Sequence, residues 1–546
     1  MTNLLRAPIL IAVLTALVAC SKKDEPPSVA QAPEPAAEPS ISMAGLPPGI
    51  DWFEGETAAA FAAAEASDRP LFLYWGAEWC PPCAQIKVTI FSRPEFQERS
   101  RLFVPVYLDG DLPSAQKLGE QFGVIGYPTM ILFRPDGTEI TRLPGGVDVE
   151  RYTSILDIAL ADAQPVSEVL AAAAAQPDAL DDNDWRLLAY YSWSTDNGRV
   201  LPDDQRVATF RALANGCPTR LRPDCARLFF EYLGAAAAAE AENTEAALTA
   251  AEKSAAAETL LDLTDEPAVL SANVQNLLYG AEPVVGVLSA ADSVRRAELV
   301  AGWRGALDAL QTNSDELELS AAERLNLIRA RAVLARLESP QGELPAALLD
   351  EARSTVAAID AQTTGSYERQ TAINAAASLY WAAGLDAEAE TMLRAELEKS
   401  KSPYYFMLSL AEFAQRAGQQ ERAVEWLAMA YEGAEGPATR FQWGYNYLMG
   451  LIEMTPDDTV RIQATALQVI DELNASPDAF YQRTRMRLEK LNEKLLEWGQ
   501  EGERREVIST LRAHVGRICA EMPEGDESRE RCEGFLTHGV AVSQGA

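Results

Sequence analysis

Histidine and positive charge are scarce in this chain, and both shortages exclude classes of function. The 546 residues include two His, and 81 Asp and Glu stand against 47 Lys and Arg, a formal net charge of −34. A metal centre with several histidine ligands has almost no residues to build it. A chain of this charge repels phosphate backbones, and no basic stripe offsets the repulsion, so we expect no nucleic-acid partner.

Long hydrophobic runs are missing after residue 20, so the body of the chain is predicted not to cross a membrane. The composition is 48% hydrophobic and 23% charged, which is ordinary for a globular protein. The length corresponds to about three or four domain-sized units.

The first twenty residues have the pattern of a signal peptide. Met1–Arg6 carries one positive side chain and precedes an apolar run over Ala7–Ala19, which is short for a membrane span. The run ends in Leu17-Val18-Ala19-Cys20, which resembles the lipobox of bacterial lipoproteins. The alternative is an ordinary signal peptide or anchor that happens to end in Cys.

The lipobox resemblance implies a location and a covalent modification. Residues 1–19 would be removed, and Cys20 would carry diacylglycerol on its sulfur as the new N-terminus. Ser21, where an Asp would favour the inner membrane, implies the outer membrane of a bacterium, facing the periplasm. Residues 20–49 are rich in Pro, Ala, Glu and Ser and are predicted to be an extended tether.

Residues 50–163 alternate between helix and strand patterns. We predict helices over Thr57–Ala66 and Ser114–Phe122, and a third running from the Cys80 motif towards Pro94. Strands are predicted over Pro70–Trp75 and Leu102–Leu108. A hairpin over Thr129–Phe133 and Glu139–Leu143, turning at Pro135-Asp136-Gly137, and a helix over Val149–Leu160 complete the pattern. Such an order predicts an α/β domain with a central mixed sheet covered on both faces.

Cys80-Pro81-Pro82-Cys83 lies between a predicted strand end and a helix start. The free N–H groups and the dipole at a helix N-terminus stabilise a thiolate, which favours Cys80 as the attacking group. Two intervening residues bring Cys83 to disulfide distance as the resolving thiol. Proline is tolerated in the first turn because its missing N–H would have no partner there.

Trp79-Cys80-Pro81-Pro82-Cys83, followed by Gly126-Tyr127-Pro128-Thr129, resembles the thioredoxin family. The segment is particularly similar to the C-terminal domain of bacterial thiol:disulfide interchange proteins. The resemblance implies that Pro128 is a cis-proline facing the two cysteines, and that Trp79 packs beside them. Tyr127 and Thr129, on either side of Pro128, would then form the edge to which an extended substrate peptide binds.

One position departs from the thioredoxin pattern. Tyr74 stands six residues before Cys80, where thioredoxins have a buried Asp that assists proton transfer from the resolving thiol. Glu78 is the nearest carboxylate in sequence, and we include it among the catalytic candidates as a group acting through water. The alternative is that Glu78 is an ordinary surface residue.

Cys80 and Cys83 have two other interpretations. They could be half of a zinc site, but the other cysteines lack the spacing of a second half and no His lies nearby, so no metal is expected. They could form a structural disulfide, which is unexpected beside an exposed turn over Trp79–Pro82. Strong oxidants and isomerases of this fold usually carry His between the cysteines, so Pro81-Pro82 favours a reductase.

Residues 164–546 are rich in Ala, Leu and Glu at helical spacing and are predicted to be all-helical. Four residue pairs recur at an offset of 34, a period that resembles the tetratricopeptide repeat: Gly384 and Gly418, Ala389 and Ala423, Leu393 and Leu427, Pro403 and Pro437. Such repeats stack into a solenoid whose concave face binds peptides or proteins. The alternative is a helical domain that merely packs against the redox domain.

Four further cysteines are predicted to form structural disulfides, because each pair is close in sequence and the compartment is oxidising. The expected pairs are Cys217–Cys225 and Cys519–Cys532. His514 and His538 are interpreted as surface or core residues and not as ligands.

Together these features predict a lipid-anchored, periplasmic thiol-disulfide oxidoreductase that reduces protein disulfides without a cofactor. Its partners would be a disulfide-bearing protein and an upstream membrane or periplasmic thiol donor, with the helical domain selecting or holding the partner. Two alternatives stay open: a partner-binding scaffold lipoprotein with a secondary redox domain, and a disulfide oxidase or isomerase.

Overall fold

The computed structural model describes residues 46–111, 115–161, 163–242, 248–340, 342–475 and 479–537. These residues belong to one compact unit. The predicted signal peptide, most of the predicted tether, Cys20 and His538 lie outside the described residues.

A four-stranded mixed sheet forms the centre of the N-terminal part. Its strands are β1 (Leu71–Gly76), β2 (Val104–Asp109), β3 (Thr129–Phe133) and β4 (Glu139–Leu143), in the order β2-β1-β3-β4. Strand β1 runs parallel to β2 and antiparallel to β3, and β3 and β4 form a hairpin. The predicted α/β fold is confirmed, and the two hairpin strands have the predicted bounds.

Helices cover both faces of this sheet. They are α1 (Thr57–Ser67), α2 (Pro81–Ile86), α3 (Pro94–Arg99), α4 (Ala115–Gln121) and α5 (Val149–Leu160). Two predictions need correction. The helix that starts after Cys80 does not continue as an α-helix towards Pro94, because a π-helical turn over Lys87–Phe91 ends it. Strand β2 begins at Val104 and not at Leu102, because Leu102 lies in a 3₁₀ turn with 56% of its surface exposed.

Alternation along β1 supplies the two hydrophobic cores on either side of the sheet, since successive side chains of a strand point to opposite faces. Phe72 and Tyr74 enter a core shared with α2, α3 and α5. Leu71, Leu73 and Trp75 enter a smaller core beneath α1 and α4. All six residues of β1 are buried, as expected for a central strand covered on both faces.

Both edges of the sheet are covered by segments that are not strands. At the β2 edge, the backbone N–H of Phe53 donates to the carbonyl of Pro105 at 2.8 Å. At the β4 edge, the N–H of Ser192 donates to the carbonyl of Arg142 at 3.0 Å. Single backbone hydrogen bonds therefore occupy positions where a further strand would pair.

The rest of the described chain is helical, which confirms the predicted all-helical region. No helix among the described residues is long and apolar enough to cross a lipid bilayer. The first ten helices of this region are α6 (Val166–Ala175), α7 (Asp182–Tyr190), α8 (Arg206–Gly216), α9 (Arg222–Ala241), α10 (Ala250–Thr264), α11 (Pro267–Ala272), α12 (Val274–Tyr279), α13 (Ala281–Leu288), α14 (Val294–Thr312) and α15 (Ala321–Glu338).

Ten more helices follow among the described residues, and the 34-residue period lies between the end of α17 and the start of α21. They are α16 (Ala346–Gln362), α17 (Ser366–Ala383), α18 (Asp386–Leu397), α19 (Pro403–Arg416), α20 (Gln420–Gly433), α21 (Pro437–Met454), α22 (Thr459–Asp471), α23 (Gln482–Trp498), α24 (Gly502–Glu521) and α25 (Glu527–Gly534). Gly384 after α17 and Gly418 after α19 both have φ +72°, a left-handed conformation that favours glycine. Equivalent backbone hydrogen bonds, at the same offset of 34 residues, close both helix ends.

The sheet and the first half of the helical region share one hydrophobic core. This core runs from Ile50 to Leu334 and includes Tyr152 of α5 and Trp185 of α7. A second core is built from residues of α15 to α25 and the segments between them, and, of the α/β residues that the structure describes, only the partly buried Trp79 joins it.

Candidate active site

Cys80 and Cys83 lie at the start of α2, where the sequence places them. Cys80 is the N-cap, and its sulfur accepts a hydrogen bond from the backbone N–H of Cys83 at 3.2 Å. A disulfide joins the two sulfur atoms, and their Cα atoms are 5.2 Å apart. Pro81 and Pro82 open the helix without loss of a hydrogen bond, because the first N–H groups of a helix have no partner within it.

The loop before β3 brings the second motif to the cysteines. The Tyr127–Pro128 peptide bond is cis. Tyr127 packs with Trp79 against a small cluster formed by Ala77, Cys80 and Cys83. The hydroxyl of Thr129 donates to the carbonyl of Gly126 at 2.8 Å, which holds the turn around Pro128. The two motifs therefore meet in space, although more than forty residues separate them.

The expected exposure of the turn over Trp79–Pro82 is wrong. Cys80 exposes 3% of its surface and Cys83 exposes none, and Pro81 is also buried. Only Pro82 of the motif is exposed. The cysteines are buried because helices of the second half of the helical region, far along the chain, cover this end of the α/β part.

Trp79 is held by residues of three of these helices. Its indole N–H donates to the hydroxyl of Thr439 in α21 at 2.8 Å, and its backbone carbonyl accepts from Gln370 of α17 at 2.6 Å. Its ring lies 4.9 Å from that of Trp443 and 6.2 Å from that of Tyr405 in α19, between centroids. Trp79 thus packs beside the cysteines, as the resemblance implies. Residues of α17, α19 and α21 also contact it.

The same hydroxyl of Thr439 also binds Asp111, in the loop after β2. The carboxylate of Asp111 accepts from this hydroxyl and, at 2.6 Å, from the backbone N–H of Thr439. Burial, with a smaller contribution from Asp109, raises the pKa of Asp111 to about 6. One threonine therefore ties together two loops of the α/β part.

Helix α23 covers the backbone on the N-terminal side of Pro128. The side-chain amide of Gln482 donates to the carbonyl of Val124, and Arg483 donates to the carbonyl of Ile125 at 3.1 Å. The Arg483 guanidinium also lies 4.3 Å from the centre of the Tyr127 ring. Side chains at the start of α23 thus cover the backbone just before Tyr127 and lie over the Tyr127 ring.

Tyr74 cannot take over the role of the buried acid that thioredoxins have at this position. Its ring stacks on that of Tyr107 of β2, with 5.2 Å between centroids, and burial raises the pKa of its hydroxyl far above its ordinary value. Tyr74 therefore stays protonated and cannot accept the Cys83 proton as a carboxylate would. Glu78 is exposed and lies in a shallow cavity with Tyr367 and Lys401.

Sequence reasoning missed two buried ionisable groups near this end of the sheet. Lys87, four residues after Cys83, is buried, and burial lowers the pKa of its amine to about 8. Its Nζ lies 4.7 Å from the centre of the Tyr367 ring. Asp109 ends β2 and accepts from the hydroxyl of Tyr107 at 3.2 Å, and burial raises its pKa. The sequence offered one sign of this buried charge: a lysine one helical turn after Cys83.

The other four cysteines within the described residues form two pairs in the helical region. Disulfides join Cys217 to Cys225, between the end of α8 and α9, and Cys519 to Cys532, between α24 and α25. His514 contacts Asp471 through Nε2 at 2.5 Å on the surface of the helical region. Within the described ranges, no three His, Cys, Asp or Glu side chains cluster as metal ligands would.

Comparisons with known proteins match the segment that contains Cys80 and Cys83. The family model of the thioredoxin-like domain matches residues 57–160. The thiol:disulfide interchange protein DsbD of Haemophilus influenzae is 30% identical over 84 residues, which are 15% of this chain and 14% of that protein. DsbD of Cronobacter sakazakii is 31% identical over 99 residues, or 17% of each protein. The chain thus spans about a sixth of the length of these relatives.

Two solved structures resemble the same part. DsbH oxidoreductase is 20% identical and covers 25% of this chain and 94% of its own, with a TM-score of 0.19. A thioredoxin from Thermus thermophilus is 23% identical and covers 24% of this chain and 98% of its own, also with a TM-score of 0.19.

Proposed function

We propose that the thioredoxin-like domain at residues 57–160 makes this chain a thiol-disulfide oxidoreductase that reduces disulfides of other proteins. The observation that carries the proposal is the placement of Cys80 and Cys83 at the start of α2, with Tyr127 of the cis Tyr127–Pro128 bond packed against them. The relatives' names describe thiol:disulfide interchange, which is the same chemistry.

The reaction begins with the reduced dithiol. The Cys80 thiolate attacks one sulfur of the substrate disulfide, whose S–S bond breaks, and the departing thiolate takes up a proton. Cys83 then loses its proton and attacks the Cys80 sulfur of the mixed disulfide. The second substrate thiolate leaves and is protonated, and the Cys80–Cys83 disulfide forms. Two electrons pass from the dithiol to the substrate.

An upstream thiol donor must restore the dithiol. A dithiol of this donor, in the membrane or the periplasm, attacks the Cys80–Cys83 disulfide and becomes oxidised itself. No cofactor takes part, because sulfur carries both electrons. Pro81 and Pro82 place no positive charge between the cysteines to favour their reduced form, which supports a reductase.

The proton of Cys83 is assigned to Glu78, acting through water. Tyr74 stands where thioredoxins have a carboxylate, and its high pKa keeps its hydroxyl protonated, whereas Glu78 is a carboxylate exposed to solvent. With Glu78→Gln, we expect the mixed disulfide to resolve more slowly with its pH profile altered. Glu54→Gln, at an exposed carboxylate before α1, is the control. An unchanged pH profile with Glu78→Gln would mean that Glu78 is an ordinary surface residue with no part in the proton transfer.

The chain is proposed to work in the bacterial periplasm, held to the outer membrane by a lipid on Cys20. The lipobox supports this location, and several acyl chains hold a protein firmly where one binds weakly. The predicted pairs Cys217–Cys225 and Cys519–Cys532 fit such an oxidising compartment, because structural disulfides persist there.

The helical region is proposed to be a tetratricopeptide-like array that selects or holds the partner. Its support is the 34-residue period, with the repeated helix ends at Gly384 and Gly418. The second candidate function, a partner-binding scaffold with a secondary redox domain, rests on the size of this region. The intact motif argues against it, since a redundant redox domain would be expected to lose a cysteine.

The redox potential of the Cys80–Cys83 pair is the first test. The full chain is equilibrated in graded glutathione or dithiothreitol buffers, quenched with acid, unfolded and alkylated, and the oxidised fraction is read by mass. A potential near −270 mV, that of thioredoxin, is expected for a reductase. A potential near −120 mV would make the protein an oxidant instead, and a pair that does not titrate would favour the scaffold.

A trapping experiment tests the order of the two cysteines. With Cys83→Ala, the mixed disulfide on Cys80 cannot be resolved, so substrates should accumulate as covalent complexes that dithiothreitol releases. With Cys80→Ala, no complex should form and reductase activity should fall by orders of magnitude. Complexes on Cys83 in the Cys80→Ala chain would reverse the assigned roles.

A further inference from the structure

We propose that the second half of the helical region is a gate over the dithiol. In the arrangement described, the gate is closed, and it must move away before a protein disulfide can reach Cys80. This inference rests on the proposed function and adds the regulation of the same site.

The first argument is access. Attack on a disulfide requires the Cys80 sulfur to meet a substrate sulfur in line with the bond that breaks. Cys80 is 3% exposed, and Trp79 beside it is clasped by α17, α19 and α21. The cavity beside Trp79 and Tyr127 leaves about 10 Å³ of free space, about the least that a single water needs. A folded protein substrate cannot approach through this cavity.

The second argument is the surface beside the cis-proline. Arg483 and Gln482 donate to the carbonyls of Ile125 and Val124. Arg483 also lies over the Tyr127 ring, so a substrate peptide that binds at Tyr127 must displace α23, which starts with these two residues. The gate therefore covers both the reacting sulfur and the surface that would orient the substrate.

The third argument is the composition of the covering contact. Apart from the packing of α2 against α17, it consists of hydrogen bonds and ion pairs, such as Thr439 with Asp111 and Arg531 with Glu120 at 2.7 Å, together with the rings around Trp79. Trp79 is the one α/β residue that joins the hydrophobic core of the covering helices, among the described residues. Water can replace such polar partners when the surfaces part, so opening costs far less than opening a hydrophobic core would.

Thr439 is the sharpest point to test, because its hydroxyl serves both Trp79 and Asp111. With Thr439→Val, closing leaves the Trp79 indole N–H unpaired and the Asp111 carboxylate one hydrogen bond short, whereas water satisfies both when the gate opens. The open fraction should rise roughly tenfold to a hundredfold. Thr455→Val is the matched control, since that hydroxyl donates to the Leu451 carbonyl, at the other end of the same helix.

The measurement uses the full chain with the Cys80–Cys83 pair reduced. Native protein is reacted with a polyethylene-glycol maleimide, and labelling of Cys80 is followed by peptide mass. In parallel, reduction of insulin disulfides is followed by turbidity. We expect both rates to rise with Thr439→Val and to stay at the wild-type level with Thr455→Val. Equal rates in all three chains would mean that the helical region is a fixed cover, and the gate would be wrong.

A second variant protects the test against misfolding. Arg483→Met removes the bond to Ile125 and the charge over the Tyr127 ring from the gate side only, so it should accelerate labelling in the same direction. The redox titration, read after unfolding, does not depend on access. If the pair titrates but neither variant accelerates labelling, the gate fails and the proposed function stands; if the pair does not titrate, the proposed function itself fails.

Discussion

Where α5 meets α7, the α/β domain and the helical region share one hydrophobic core. Where α2 and the loops beside it meet α17 and α21, the two parts share mainly hydrogen bonds and ring contacts. At the first contact, Arg142 of β4 is fully buried and bonds to Glu139 and to the carbonyls of Phe122 and Thr195. At the second contact, Arg531 and Glu120 keep 22% and 27% of their side-chain surface exposed.

The difference separates permanent from reversible association. A shared core cannot part without exposing apolar surface, which costs about 25 cal/mol for each Å². A polar contact exchanges its hydrogen bonds for bonds to water, and its net free energy is small. The first contact therefore makes the α/β domain and the helices one folding unit, and the second can open while both remain folded.

Arg142→Met should have the largest effect on stability. The substitution removes a fully buried guanidinium and leaves the carbonyls of Phe122 and Thr195 and the part-buried Glu139 without it, so we expect a loss of about 3–5 kcal/mol in the free energy of unfolding. The measurement is urea unfolding followed by tryptophan fluorescence. Arg353→Met, which removes a half-exposed pair with Glu388, is the control. A loss of unfolding free energy no larger than that of Arg353→Met would mean that the first contact contributes little to stability.

Removal of the Cys519–Cys532 disulfide should come next. Its 13-residue separation corresponds to about 3 kcal/mol in the chain-entropy estimate. Because α25 carries Arg531, which reaches Glu120, the double change to Ser should also speed maleimide labelling of Cys80. The matched change at Cys217 and Cys225, an 8-residue separation beside the shared core, should cost about 2.5 kcal/mol without faster labelling. Equal labelling in the two variants would contradict the comparison.

Lys87→Met tests the charge buried at the second contact. The folded chain holds the Lys87 amine at a pKa of about 8 against 10.5 in water, so the unfolded chain binds the proton more readily between these values. Stability should therefore rise with pH from about 8 to 10.5, and the full cost is present below pH 8. Allowing for the lost contact with Tyr367, Lys87→Met should gain about 1–2 kcal/mol at pH 7.

The check is the difference in unfolding free energy between Lys87→Met and the original chain at several pH values. That difference should shrink as the pH approaches 10.5. Lys494→Met, at a half-exposed lysine paired with Glu497, serves as the control. A difference that stays constant with pH would show that Lys87 is not the titrating group.

Arg531→Met should have the smallest effect on global stability. The pair with Glu120 is part-exposed, so we expect less than about 1 kcal/mol by urea unfolding. Labelling of Cys80 should nevertheless become faster, because the contact lies on the covering side. A loss as large as that of Arg142→Met would mean that the two contacts are equivalent and would remove the basis for a separable cover.

The α/β domain could be predicted from sequence because its signals are local. Pro135-Asp136-Gly137 marks the hairpin turn, Val149–Leu160 has a helical pattern with the observed bounds, and Cys80-Pro81-Pro82-Cys83 marks a helix start. The helical content of the second region also follows from local patterns. The π-helical turn over Lys87–Phe91 left no such sign, because its residues also suit an ordinary helix.

The covering of the dithiol could not be predicted, because it depends on contacts between residues far apart in sequence. Trp79 and Thr439 are 360 positions apart, and a threonine in the first turn of a helix that starts at Pro437 is an ordinary feature. The buried state of Cys80 follows from the same contacts. Motif spacing identifies the reacting groups, whereas their accessibility depends on how distant helices pack.

The covered edges of the sheet also affect how the protein behaves at high concentration. Strands β2 and β4 are the edges at which another chain could add a strand and begin an aggregate. The bonds from Phe53 to Pro105 and from Ser192 to Arg142 occupy backbone groups at these edges. The sheet therefore offers another chain less of a template for adding a strand.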